Sequence, residues 1–124
     1  MNLIINNDVN ELLEQYSSFC YEVGGILFGK KIFNHYCINH ITFKKGSLLS
    51  ISFLSDDKKI FYSNIRSKIL GSWHYHPNGL SNLPSSIDLN QYQKWNHKYV
   101  HIILSNEGYK VFNNKGVVLY EKKF

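Results

Sequence analysis

The sequence predicts one domain of the α/β or α+β class, a sheet covered by helices, and three observations carry that expectation. An amphipathic stretch with helical spacing follows Asp8, runs of β-branched and aromatic residues alternate with glycine turns, and 124 residues allow one ordinary core but not two. The whole span 1–124 is therefore read as a single domain. Its hydrophobic fraction of 44%, with nine Tyr and eight Phe, is that of a chain that buries a core, which excludes a disordered polyelectrolyte.

Taken in order, Val9, Leu12, Leu13, Tyr16 and Phe19 fall on one helical face, and Asp8 followed by Glu11 forms a capping-box signature. The next segment, EVGGILFGKKIFNHYCINHITF, suits two strands joined by a turn, with Gly24 and Gly25 permitting close backbone approach. A further strand is predicted over 49–54. Asp56 or Asp57 then caps a helix that carries Ile60, Phe61, Ile65 and Ile69 on one side and leads into ILGSWHYHP. After the loop PNGLSNLP, Ser85 with Asp88 three residues on opens a helix to about His97, which puts Asp88 in its first turn. The tail reads as three short strands separated by the turn signals NEG and NNKG.

Composition narrows the function classes. The net charge of +5 comes from scattered lysine pairs with one arginine, Arg66, and nucleic-acid binding normally wants a basic stripe containing arginine, so no nucleic-acid partner is expected. No run of about 18 apolar residues occurs and the start lacks a secretory pattern, so a cytoplasmic location without membrane association is expected unless export takes another route. Cys20 and Cys37 form neither a CxxC redox motif nor a thiolate zinc clip, and are read as two buried free thiols.

The chemistry concentrates in WHYHP and the helix after it. Strand alternation sends His74 and His76 to one face with Tyr75 directed the other way, although a pair of core histidines would look the same in sequence. Pro77 ends the strand, a Gly/Asn/Ser loop turns the chain, and Asp88 can swing back to the imidazoles. Two neutral imidazoles and a carboxylate leave one tetrahedral position open, as in catalytic zinc sites. The same set can hold ferrous iron in an oxygenase. Glu22 could serve as the base such a site needs, although an isolated glutamate at the foot of a helix is more often a surface residue. His35, His40, His97 and His101 are given no ligand role. Trp73 and Trp95 are read as packing anchors, and Tyr75 as core or substrate contact.

In this order the residues resemble the JAB1/MPN/Mov34 metalloproteases, also called JAMM proteases. The matches are Glu22 in EVGGILFG, His74 and His76 in WHYHP, Ser85 in PSSID, and Asp88; the likeness runs from the first helix to about residue 112. The resemblance implies a curved mixed sheet covered by helices, in a layout similar to that of cytidine deaminases. A deaminase itself is disfavoured, because neither HxE nor PCxxC is present. It further implies one zinc ion per chain on His74, His76 and Asp88, Glu22 as general base, and the Ser85 hydroxyl at the oxyanion. Eleven residues separate His76 from Asp88, one more than the family usually has, which leaves Ser81, Ser85 and Ser86 as candidates for the serine while Pro84, Ser85 and Asp88 keep their mutual spacing.

Members of that family cut peptide or isopeptide bonds after the tail of ubiquitin or a ubiquitin-like protein. Compact bacterial versions work beside ubiquitin-like transfer systems, including anti-phage operons. The resemblance therefore implies a ubiquitin-like protein or its conjugate as substrate. A non-catalytic scaffold of the same fold and a DNA-repair-associated relative are the competing readings. The scaffold predicts lost ligands, and the repair relative a different segment around Glu22. Oligomeric state is not legible.

Overall fold

The computed structural model describes residues 2–45, 68–77, 83–94 and 98–124. Ten elements follow in chain order: β1 (Asn2–Ile5), α1 (Asn7–Tyr16), β2 (Val23–Ile32), β3 (His35–Ile41), β4 (Lys44–Lys45), β5 (Lys68–Tyr75), α2 (Ser86–Gln93), β6 (Val100–Ser105), β7 (Gly108–Phe112) and β8 (Val118–Lys123). The strands form one mixed sheet in the order β1-β3-β2-β5-β6-β7-β8, with β4 pairing β2 beyond the end of β3. Two pairings, β1 with β3 and β5 with β6, are parallel and the rest antiparallel.

Strand β5 is central, and its alternation sorts the two faces. Trp73 and Tyr75 point to one side, where the Tyr16 ring of α1 stacks on Trp73 at 5.2 Å and 9°. Val9 and Leu13 of the same helix are fully buried in that core, each contributing about 1.5–3 kcal/mol. Ser72 and His74 point to the other side, toward α2. The helices thus cover opposite faces, in agreement with the α+β class read from the sequence.

The two glycines ahead of β2's apolar run have a steric cause. A Cβ on Gly25 would overlap the Thr42 carbonyl and come within 2.7 Å of Trp73 Nε1, two groups already hydrogen-bonded to each other at 2.8 Å. On Gly24 it would meet the Trp73 carbonyl oxygen at 2.6 Å and His74 Cβ at 3.1 Å. Close packing of β2 against β5 and Thr42 therefore requires hydrogen as the side chain.

Several expectations need correction. The cap of α1 is Asn6, whose side chain accepts from the Asp8 amide at 2.8 Å; Asp8 itself lies in the first turn, because Asn6 already satisfies the orphan donor. Phe19 lies past the end of α1, which stops at Tyr16. Ile69 belongs to β5, paired with Phe28, because the sheet offers its backbone a ladder partner. Cys20 is exposed and Cys37 half-buried, so neither thiol is buried as expected. β1 and β4 are too short to show a period in sequence. The predicted strand at 49–54, the helix residues Ile60, Phe61 and Ile65, Ser81, Trp95 and His97 all lie outside the described residues.

Candidate metal centre

His74 ends β5 one residue before its last, and His76 follows the strand, held in line by its amide donating to the Leu104 carbonyl of β6 at 2.8 Å. The Nε2 atoms of the two rings lie 2.8 Å apart, with the ring planes at 63°. Asp88 closes the group from α2. Its Oδ1 is 3.3 Å from His74 Nε2 and its Oδ2 3.5 Å from His76 Nε2.

Asp88 reaches this position because its helix is capped by reciprocity. Ser85 is the N-cap; its hydroxyl oxygen accepts from the Asp88 amide at 3.1 Å, while the Ser85 amide donates to Asp88 Oδ2 at 2.8 Å. This is the capping box read from PSSID. Ser85 sits at the cap, while Ser86 begins the helix.

The electrostatics keep Asp88 in its charged form. Burial alone would raise the Asp88 carboxyl, but hydrogen bonds to His74 and His76, the charge of His74 and the Ser85 amide outweigh it and hold the group well below the usual carboxylate range. Burial, and then the Asp88 charge, push the Tyr92 phenol well above its ordinary value.

One donor atom from each of His74, His76 and Asp88 falls within 4.8 Å of the others. A tetrahedral zinc with ligand bonds of about 2.0–2.1 Å has donor-to-donor edges of about 3.3 Å, which the separation of His74 Nε2 from Asp88 Oδ1 matches. The donor set is therefore one that could hold a metal ion. His74 Nδ1, on the far side of that ring, is buried and makes no hydrogen bond to the described residues.

Glu22 stands apart from this group. It is exposed, immediately before β2 and two residues from Gly24, whose register partner is His74. No hydrogen bond or ion pair joins it to another described residue. Trp73 and Tyr75 are fully buried, and the Tyr75 hydroxyl accepts from Asn106 Nδ2 at 2.7 Å, which makes Tyr75 core and not a substrate contact.

His101, expected as a surface or core residue without a ligand role, is a core residue. It is fully buried on β6 beside Ser72 of β5, bonded to Ser72 Oγ at 2.9 Å and Asn114 Oδ1 at 2.6 Å, with the Tyr92 ring of α2 stacked on it at 3.7 Å and 6°. The available signal was a histidine inside the otherwise apolar strand YVHIIL.

The fold has solved counterparts. The crystal structure of a JAB1/MPN domain protein from Archaeoglobus fulgidus matches with a TM-score of 0.63 at 22% identity, covering 97% of this chain and 94% of that one. A solution structure from Desulfitobacterium hafniense matches with a TM-score of 0.66 at 16% identity, covering 98% and 90%. Another, from Salinibacter ruber, gives 0.63 at 11% identity, covering 98% and 89%. No family model and no curated protein matches the sequence.

Proposed function

The chain has a JAB1/MPN-like fold, and from that premise we propose that it is a zinc-dependent peptidase or isopeptidase that cuts after the C-terminal tail of a ubiquitin-like protein. The observation that carries the reading is the convergence of His74, His76 and Asp88, within 4.8 Å of one another, at the end of a central strand. His74 and Asp88 are buried and His76 is half-buried, and a carboxylate is seldom buried without a partner that favours its charge.

His74 Nε2, His76 Nε2 and the Asp88 carboxylate would hold the zinc, which when bound supplies Lewis acidity to a carbonyl and brings the pKa of water to roughly 7. The chain's own residues do the rest. Glu22, two residues before the register partner of His74, would accept the proton of the attacking water and return it to the leaving amine. The Ser85 oxygen is engaged as acceptor by the Asp88 amide, so its hydroxyl hydrogen is left to donate to the developing oxyanion. An extended tail ending in glycine could lie beside the sheet by main-chain hydrogen bonds. A bacterial ubiquitin-like conjugation or anti-phage system is the setting we propose.

The test uses a ubiquitin-like protein encoded beside this gene, fused through its terminal glycine to a reporter. Release after that glycine, lost on chelation and restored by zinc, is expected. A purified protein that takes up no zinc, or cleavage indifferent to chelation, would contradict the reading.

A further inference from the structure

The cluster behind the candidate centre looks at first like a nucleophilic triad, with a serine, a histidine and an asparagine in a line. Burial excludes that use: Ser72 and His101 are both 0% exposed, so no substrate reaches the hydroxyl. What the line does instead is fix a ring. Asn114 Oδ1 can only accept, so His101 Nε2 carries the hydrogen. Burial, against the pull of the Asn114 bond and with a smaller push from His74, lowers the His101 pKa to about 3, so the ring is neutral and Nδ1 accepts from the Ser72 hydroxyl. Both edges are thus pinned, one to β5 and one to the β7–β8 turn.

The face of that pinned ring carries Tyr92, 3.7 Å away and nearly parallel. Tyr92 is four residues after Asp88 on α2, so the two side chains lie on the same side of a helix only eight residues long. So short a helix has little intrinsic stability and takes its position from what it packs on. The β7–β8 turn also reaches α2 directly, since a Cβ on Gly116 would come within 2.6 Å of Leu89 Cδ2.

We infer that His101 is a positioning residue: held by Ser72 and Asn114, it seats Tyr92 and so sets where Asp88 stands relative to His74 and His76. This rests on the zinc reading of the centre. Removing the seat lets α2 shift and separates the carboxylate from the imidazoles without touching any of the three donors.

The experiment compares wild type with His101→Leu, Tyr92→Leu and Tyr92→Phe, using zinc alone as the probe in competition with a chromophoric chelator, and amide exchange of the metal-free protein. His101→Leu and Tyr92→Leu are expected to weaken zinc binding by about 10–100-fold, the range for groups that orient ligands. They should also speed exchange in Leu89–Gln93 more than in β6 and β7. Tyr92→Phe, which keeps the ring, should stay within about twofold of wild type. Should His101→Leu fail to fold, Asn114→Ala releases one edge only and should give a smaller change in the same direction. Lower melting temperatures with unchanged zinc affinity and uniform exchange would overturn the inference, leaving His101 a core residue. A wild type that takes up no zinc would remove the zinc reading alone; faster exchange confined to α2 would still support the seating of the helix, and uniform exchange would overturn it.

Discussion

Ser85 and Asp88 hold one another at the start of α2, each donating its backbone amide to the other's side chain, at 2.8 and 3.1 Å. The carboxylate that faces the two imidazoles is therefore also half of a helix cap, and substitutions there act on zinc and on stability together.

Asp88→Ala is expected to abolish zinc uptake and also to remove the cap's acceptor, lowering stability by about 1 kcal/mol. Asp88→Asn keeps an acceptor for the Ser85 amide and should recover most of that stability while still binding zinc poorly. Zinc content per chain and urea midpoints of the metal-free proteins separate the two effects.

Ser85→Ala should retain zinc, lose about 0.5–2 kcal/mol through the missing cap, and lower kcat by about 10²–10³ through the missing hydroxyl donor. Ser85→Thr keeps both groups and should remain close to wild type. A Ser85→Ala enzyme with full kcat would remove the oxyanion role and leave the cap.

Glu22→Gln is expected to bind zinc as wild type does, to melt within about 0.5 kcal/mol of it because the position is exposed, and to cleave nothing measurable. Cleavage at the wild-type rate would mean that the proton leaves by another group.

Gly25→Ala would force a methyl into the Thr42 carbonyl and the Trp73 indole, which are hydrogen-bonded to each other, and should cost about 1–3 kcal/mol. Gly24→Ala presses on His74 and should weaken zinc binding as well. Denaturant midpoints and chelator competition give the two readouts.

Acid should destabilise the fold through His101. Its folded pKa of about 3 lies below the ordinary 6.5, so between those values the unfolded chain binds a proton that the folded chain refuses. Stability is unaffected by this group above pH 6.5 and falls below it by up to about 1.4 kcal/mol per pH unit until the folded pKa is reached. Urea midpoints against pH should therefore fall more steeply for wild type than for His101→Leu, the difference isolating this residue from His74 and His76.

Patterns that depend on neighbours in the chain were legible without coordinates. The capping box at Ser85, the strand that carries His74 with His76 just past its end, the three tail strands and the Gly24 and Gly25 close approach are local consequences of hydrogen-bonding groups and periodicity. β1, two thiols thought buried and the Asn6 cap were misjudged or missed, since four residues carry no period and burial depends on what packs above.

Sequence by itself determined which side chains could serve a cation and which local geometry each would take, because side-chain chemistry and strand and helix periods are written along the chain. Only the tertiary structure decided that Asp88 comes to the imidazoles and that His101 lies beneath the helix that brings it. Those placements arise from parallel pairing of β5 with β6 and from a ring stacked between layers, contacts joining residues 29 and 9 positions apart, which no local pattern encodes.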